Sequence, residues 1–227
     1  MIILLGASGG LGRKLAPSLT HLDSVVATYH TKPLNLKKKN LEEKRLDLTS
    51  PGEIKKFADW VCAKHHRLTL VNLASFSPDG LLVQTDYEHW KKSFQIHADS
   101  NFLLLKKLLP RMMEDRWGRL IFISSITAQT GPVGAGAYAS SKAALSGLCR
   151  TAAHEYGRFG ITANLLRIGY FDQGLIHTLD ATKQKEILKR IPSQKFGDTN
   201  NLFHAVDFIM KADYLNGAEI PLDGGFF

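Results

Sequence analysis

The sequence predicts an α/β fold: a doubly wound parallel sheet with helices on both faces. Short apolar runs alternate with longer helical patterns along the chain, and this alternation is typical of parallel α/β sheets. The apolar runs are continuous, as expected for strands that are buried on both faces. The length of 227 residues fits one domain, so we assign residues 1–227 to a single domain.

The predicted elements follow one another in a regular order. The strands are residues 1–5, 25–29, 68–73, 119–124, 161–167 and 218–222. The helices are residues 11–22, 51–65, 87–114, 137–158 and 202–211. Residues 31–40 are polar and rich in lysine, which indicates a surface connection. Residues 171–198 are irregular apart from an amphipathic stretch at 182–190, and we expect this segment to cover a substrate site.

Charge and cysteine content narrow the classes of partner. The net charge of +8 favours anionic partners, but the basic residues are dispersed and no nucleic-acid-binding motif is present. A solvated basic surface explains the charge.

Cys62 and Cys149 form no CxxC pair, so we predict neither a disulfide framework nor a metal site. With no signal-like segment and no apolar run of about 20 residues, we expect a cytoplasmic protein that binds no membrane.

A glycine-rich stretch follows the first predicted strand directly. It reads Gly6-Ala7-Ser8-Gly9-Gly10-Leu11-Gly12 and leads into a helix. Glycines let the backbone turn tightly and approach a ligand, and the start of the helix offers free N–H groups to phosphates. In this strand–turn–helix context the stretch predicts a dinucleotide site, although an ordinary tight turn is the alternative.

The end of the second predicted strand bears on the choice of nucleotide. An acidic residue there binds the ribose 2′-hydroxyl of NAD, whereas a basic residue accommodates the 2′-phosphate of NADP. The chain reads Ala27-Thr28-Tyr29-His30-Thr31-Lys32, without a carboxylate. His30 and Lys32 are candidate phosphate ligands, and Lys32 fits a solvated loop residue equally well. NADP(H) is therefore favoured over NAD(H).

A candidate catalytic group lies further along the chain. Tyr138 and Lys142 are four residues apart at the start of a predicted helix, which places them on one face. The pKa of tyrosine, about 10, is high for proton transfer at neutral pH, and a nearby ammonium lowers it. Ser125 follows a predicted strand, where α/β sheets bind ligands, and its hydroxyl can bind a substrate carbonyl. Such a tyrosine–lysine pair alone is common on exposed helices, but the combination with Ser125 and the glycines is more specific.

With these motifs the chain resembles the short-chain dehydrogenases/reductases, and among them the 3-oxoacyl carrier-protein reductases. The resemblance runs nearly end to end. It is carried by residues 6–12, Asp47-Leu48-Thr49, Val71-Asn72-Leu73-Ala74, Asp79-Gly80-Leu81-Leu82, Trp90, residues 118–125 and 138–142, Asn164, Gly169 and Leu222-Asp223-Gly224-Gly225. It implies a Rossmann-like sheet of about seven strands and hydride transfer between NAD(P)H and a carbonyl or alcohol. It also implies a homodimer or homotetramer built on the helices 87–114 and 137–158.

The resemblance also implies roles for single residues. Tyr138 is the implied general acid/base, and Ser125 orients the substrate oxygen. Lys142 is implied to hold the nicotinamide ribose and to lower the pKa of Tyr138, and Asp47 to contact the adenine. With His30, the cofactor-binding residues are Gly6, Ser8, Gly10, Leu11, Gly12, Asp47, Leu48, Asn72, Ala74, Tyr138, Lys142 and Gly169.

His97 departs from the family pattern. It lies seven residues after Trp90, where the family carries an asparagine that belongs to a water-mediated proton relay to the lysine. A neutral imidazole donates and accepts hydrogen bonds, so His97 is a candidate catalytic residue that replaces the relay. A weakened site and a place in the subunit interface are the alternatives. Asn101, one turn on, shares the helix face and is a candidate substitute.

Two functions remain open at this point. The leading one is an NADPH-dependent enzyme that reduces the carbonyl of a small molecule to an alcohol. The alternative is a catalytically weak NADP(H)-binding regulator or scaffold, motivated by His97. Basic residues in the segment 171–198 fit an anionic substrate, such as a phosphopantetheine thioester or a nucleotide sugar, and they equally fit a solvated helix face.

Overall fold

Seven parallel strands form one sheet in the order β3-β2-β1-β4-β5-β6-β7. The computed structural model describes the backbone of residues 1–227 and every side chain except that of Leu175. The strand order reverses between β1 and β4, which confirms the predicted doubly wound, Rossmann-like sheet. The strands are β1 Ile2–Leu5, β2 Val25–Tyr29, β3 Leu41–Arg45, β4 Leu68–Asn72, β5 Gly118–Ser125, β6 Ile161–Ile168 and β7 Glu219–Leu222.

Helices cover both faces of the sheet, as predicted. They are α1 Gly10–Leu19, α2 Pro51–Lys64, α3 Tyr87–Phe94, α4 Ser100–Glu114, α5 Thr127–Thr130, α6 Gly136–Tyr156, α7 Ala181–Arg190 and α8 Thr199–Lys211. Side chains of α2, α4 and α6, such as Leu104 and Leu145, pack on one face. Side chains of α1 and α8, such as Leu15 and Leu202, pack on the other. Among the described helices, none has the length and apolar character that a bilayer crossing requires.

The strand β3 was not predicted. Its sequence, Leu-Glu-Glu-Lys-Arg, is mostly charged, and its side chains are exposed or half-buried because it forms an edge of the sheet. An edge strand needs backbone pairing with only one neighbour, here β2, so an apolar pattern is not required. Glu43 in this strand accepts hydrogen bonds from the backbone N–H groups of Leu34 and Leu36 at 2.7 and 2.8 Å, which anchors the predicted surface connection.

The predicted long helix 87–114 is interrupted. A π-helical turn, Gln95–Asp99, separates α3 from α4 and contains His97. Such wide turns add a residue to the helical ladder, and they occur frequently at functional sites. The apolar periodicity continues through the turn, so the sequence pattern alone did not reveal it. The turn changes which side chains face α6, and this matters for the site.

Candidate active site

A cavity of about 970 Å³ opens at the carboxyl ends of the strands. Residues that follow β1, β2, β3, β4, β5 and β6 line it. It spans the point between β1 and β4 where the strand order reverses, which is where open α/β sheets bind ligands. Its volume lies near the upper end of the range for small-molecule and cofactor sites, about 300–1,000 Å³.

The glycine-rich turn forms one wall of the cavity. At Gly6 the backbone has φ of +70°, and a Cβ there would lie 2.5 Å from the backbone of Ala74. A Cβ on Gly12 would lie 2.5 Å from the carbonyl oxygen of Gly6, and one on Gly10 would lie 2.5 Å from the nitrogen of Gly174. Backbone atoms occupy these spaces, so larger residues do not fit. The first turn of α1 thus presents unpaired N–H groups to the cavity, which is a suitable cradle for a pyrophosphate.

His30 and Asp47 line the cavity beside the glycine-rich turn, whose Gly6 and Ala7 hydrogen-bond to Thr28 of β2. The Nε2 atom of His30 lies 3.6 Å from Oδ2 of Asp47. The other carboxylate oxygen of Asp47 accepts hydrogen bonds from the N–H and hydroxyl of Thr49 at 2.8 and 2.7 Å. Burial acts to raise the pKa of Asp47, but these hydrogen bonds and the charges of His30 and Arg45 outweigh it and lower the pKa. Lys32 is exposed and lies outside the cavity lining.

Ser125, the last residue of β5, is buried at the cavity wall. Its Oγ accepts hydrogen bonds from the backbone N–H of Thr127 at 3.2 Å and from the Thr127 hydroxyl at 3.0 Å. These bonds use the acceptor capacity of Oγ, so the Ser125 hydroxyl proton is available to a further partner. The geometry therefore leaves the Ser125 hydroxyl as a donor, and Tyr138 is its hydrogen-bond partner at the cavity wall.

Tyr138 extends from the first turn of α6 into the cavity. Burial raises the pKa of Tyr138, although hydrogen bonds with Ser125 and Ser75 act to lower it. Lys142 Nζ lies 5.9 Å from the centre of the Tyr138 ring. The expectation that Lys142 lowers the pKa of this tyrosine is thus not met, because burial is the largest influence. Burial thus favours the protonated phenol.

Lys142 is buried beneath Tyr138 on the same helix. Its Nζ donates a hydrogen bond to the carbonyl oxygen of Ile123 at 2.9 Å, and its own carbonyl accepts one from the Ser124 hydroxyl at 3.1 Å. Burial lowers the pKa of Lys142 to about 7. The spacing inferred from the sequence therefore places Tyr138, Lys142 and Ser125 together at one end of the cavity.

The structure gathers most of the predicted cofactor-binding residues around the cavity. Those that line it are Gly6, Ser8, Gly10, Leu11, Gly12, His30, Asp47, Leu48, Ala74, Tyr138, Lys142 and Gly169. Asn72 is an exception: it is buried, and its Oδ1 accepts a hydrogen bond from the N–H of Ala74 at 2.9 Å. It shapes the turn after β4 instead of lining the cavity. His97 is likewise buried behind the wall.

Sequence reasoning missed part of the cavity. Ser75 bonds to Tyr138, and Phe76 and Lys92 line the same region. Ser75 directly follows the Val71–Ala74 motif, which was the available signal. Phe76 and Lys92 belong to no motif, and only the packing of α3 against the loop after β4 brings them together. The segment 171–198, expected from the sequence to cover a substrate site, also contributes to the lining: Phe171, Gln173, Gly174, Ile176 and Thr178.

Comparison with known proteins agrees with this architecture. The family model described as enoyl-(acyl carrier protein) reductase matches residues 6–227. A 3-oxoacyl-[acyl-carrier-protein] reductase of Buchnera aphidicola, from the subspecies Schizaphis graminum, is 30% identical and covers 99% of this chain and 96% of its own length. The protein with the same description from Pseudomonas aeruginosa is also 30% identical, with the same coverage.

A solved structure supports the fold independently. A candidate gluconate dehydrogenase from Agrobacterium tumefaciens superimposes with a TM-score of 0.92 and is 24% identical, covering 100% of this chain and 95% of its own. At this identity the likeness concerns the fold alone. Together with the family match over nearly the whole length, these findings show that the chain belongs to the short-chain dehydrogenase/reductase family, whose members are oxidoreductases that act on CH–OH or C=O groups.

Proposed function

We propose that this protein uses NADPH to reduce the carbonyl group of a small molecule to an alcohol, with Ser125, Tyr138 and Lys142 as catalytic residues. The observation that carries the proposal is the position of Tyr138 and Lys142 beside Ser125, in the cavity that begins at the glycine-rich turn. Tyrosine carries its proton at neutral pH, so Tyr138 can give that proton to the substrate oxygen, and the charge of Lys142 would favour the transfer by stabilising the phenolate.

The cavity fits a dinucleotide cofactor. Side chains larger than glycine do not fit at Gly6 and Gly12, and the adjacent first turn of α1 suits a pyrophosphate. Asp47 is a ready acceptor for an adenine amino group because it stays ionised. Lys142 and Tyr138 are the residues that would hold the nicotinamide ribose. When bound, the nicotinamide supplies the hydride that the reaction requires.

NADPH is proposed over NADH because of the charges at the end of β2. His30 lines the cavity there, Lys32 follows nearby, and the β2 segment contains no carboxylate. A carboxylate at this position would bind a ribose hydroxyl and repel a 2′-phosphate. The nearest acidic side chain, Asp47, is already engaged by Thr49 and faces His30. We therefore propose His30 as the partner of the 2′-phosphate of NADPH.

The three catalytic side chains then have separate tasks. Ser125 donates a hydrogen bond to the carbonyl oxygen and so orients it. Tyr138 gives its proton to that same oxygen as the carbonyl carbon receives hydride, which yields the alcohol and leaves a phenolate. Lys142, a cation when protonated, stabilises the phenolate that forms. The proton and the hydride together account for both hydrogens that are added.

The same proposal includes a cytoplasmic homodimer or homotetramer that pairs through α4 and α6. Phe102 on α4 is 55% exposed and would be covered in such a pair. The segment 171–198 is proposed to cover the substrate, since it contributes residues to the cavity wall. Sedimentation of the purified protein measures the oligomeric state.

The test begins with fluorescence titration of the protein with NADPH and with NADH. NADPH oxidation is then followed on a panel of ketones and 3-oxoacyl thioesters, since relatives are named for the latter activity. We expect tighter binding of NADPH than of NADH, and turnover on the panel. Failure to bind either nucleotide contradicts the proposal. Tight binding with no turnover across a broad panel favours the regulator or scaffold interpretation instead.

A further inference from the structure

His97 sits behind the catalytic wall, between two parts of the site. It lies in the π-helical turn between α3 and α4 and is 1% exposed. Its Nε2 accepts a hydrogen bond from the backbone N–H of Phe76 at 3.1 Å. Its Nδ1 lies 2.7 Å from Oγ of Ser141, on α6. The imidazole therefore bridges the loop after β4 and the helix that carries Tyr138 and Lys142.

The hydrogen-bond partners determine the protonation state of this imidazole. A backbone N–H can only donate, so Nε2 must be an acceptor without a proton. A neutral ring then carries its proton on Nδ1 and donates it to Ser141 Oγ. The Ser141 hydroxyl donates in turn to the carbonyl oxygen of Tyr138 at 2.9 Å. Each hydrogen bond from Phe76 through His97 and Ser141 to Tyr138 therefore has a defined donor and acceptor.

The surroundings keep the ring neutral. Burial lowers the pKa of His97 well below its usual value, and the charge of Lys142 on α6 adds to this effect. The Tyr138 ring, the other titratable group against it, meets the imidazole edge to face with centres 5.4 Å apart. Protonation would remove the acceptor at Nε2 and break the bond to Phe76, because an imidazolium has no free lone pair.

The same bonds leave the side chain no capacity for proton transfer. A relay group must accept a proton on one nitrogen and release one from the other. Both nitrogens of His97 already form hydrogen bonds within the protein, to Phe76 and to Ser141. The carbonyl oxygen of His97 accepts a hydrogen bond from the Asn101 amide at 2.6 Å and keeps its second lone pair. Asn101 thus acts on the backbone of this turn, one helical turn from His97.

We infer that His97 is a positioning residue that, as a neutral imidazole protonated on Nδ1, ties the loop Ser75–Phe76 to α6 and holds Tyr138 at the substrate side of the cavity. Its imidazole is not a proton relay. The loop contributes Ser75, a hydrogen-bond partner of Tyr138, so a shift of the loop relative to α6 would change the environment of the catalytic phenol directly. The kinetic part of this inference rests on the proposed reductase function, whereas the tautomer does not.

The tautomer can be measured without any activity. The whole protein is labelled with nitrogen-15 at its nine histidines, and the ring nitrogens of His97 are assigned from the signal that the His97→Asn variant loses. At neutral pH we expect a protonated Nδ1 and an unprotonated Nε2, and we expect this state to persist when the pH is lowered past the ordinary range of histidine titration. A ring protonated on Nε2 alone, or an imidazolium at neutral pH, overturns the inference.

The kinetic test compares His97→Leu and Ser141→Ala with the matched control Ser140→Ala, whose hydroxyl lies on the exposed side of α6. We expect both test variants to lower kcat by about tenfold to a hundredfold, the scale on which misplaced catalytic groups lose rate. NADPH affinity should stay within about twofold, and the pH profile of kcat should keep its ionisations. The double variant should be little worse than His97→Leu, because the two side chains share one bond.

The other outcomes contradict the inference. Full activity of Ser141→Ala together with a lost ionisation in His97→Leu indicates a proton relay. Lower melting temperatures with unchanged kcat in both variants indicate a purely structural residue. If the wild-type protein reduces no carbonyl compound, the proposed function fails, and the nitrogen-15 measurement still decides the tautomer.

Discussion

The hydroxyl of Tyr138 is the group on which the proposed chemistry depends most directly. Tyr138→Phe removes this hydroxyl and keeps the ring, so the edge-to-face contact with His97 at 5.4 Å is preserved. General acid catalysis by a positioned side chain contributes about 10²- to 10⁴-fold to the rate. Its loss therefore corresponds to about 2.7–5.4 kcal/mol of transition-state stabilisation, since each tenfold change in rate is about 1.36 kcal/mol.

The assay is NADPH oxidation on the best substrate of the panel, with NADPH affinity measured separately by fluorescence. Tyr156→Phe is the matched control, because Tyr156 ends the same helix and lies outside the cavity lining. We expect the control to retain wild-type kcat, and Tyr138→Phe to bind NADPH while losing at least a hundredfold in kcat, the lower bound of about 10². A loss of less than about tenfold, or ~1.4 kcal/mol, would refute the assignment of Tyr138 as the acid.

Three further predictions concern the cofactor site and the core. Gly12→Ala places a Cβ 2.5 Å from a backbone oxygen and should weaken NADPH binding by about tenfold or more, at a cost in stability of about 1–3 kcal/mol. Gly52→Ala, in helix α2 with open space around it, should leave NADPH titration unchanged and should not lower the melting temperature. His30→Asp should shift the ratio of NADPH to NADH affinity toward NADH by about tenfold or more, and an unchanged ratio contradicts the proposed phosphate contact. Leu104→Ala, at a fully buried position, should lower the free energy of unfolding by about 2–5 kcal/mol in denaturant titration. Val83→Ala, at an exposed position, should change it by less than about 0.5 kcal/mol. A similar loss in both variants would show that burial does not set the cost.

Local motifs predicted the candidate catalytic residues better than they predicted which residues line the cavity. The glycine-rich turn, Ser125, Tyr138 and Lys142 were found because each depends on spacing within one strand, turn or helix. Asn72 was assigned to the cavity from its motif, but its side chain lies behind the wall, where the amide oxygen accepts a hydrogen bond from the N–H of Ala74. A motif shows which residues share a turn. It does not show which side of the turn a side chain takes, because neighbouring elements decide that.

The pKa of Tyr138 also depends on residues that are distant from it in the sequence. Proximity in sequence predicts that Lys142 lowers the pKa of Tyr138, yet burial by residues from several loops raises it. The buried amine of Lys142 bonds instead to the carbonyl of Ile123 in β5, a partner separated by 19 residues. Desolvation is a property of the assembled cavity, so no local pattern reports it.

The sequence by itself determined the doubly wound sheet, the glycine-rich turn after β1 and the pairing of Tyr138 with Lys142, since periodicity and short spacing encode these features locally. The polar strand β3 and the π-helical turn at His97 emerged only in the folded chain, because sheet-edge pairing and packing against α6 produce them. The same is true of the role of His97. The sequence shows a histidine at an asparagine position, but only the tertiary contacts with Phe76 and Ser141 determine which nitrogen carries the proton.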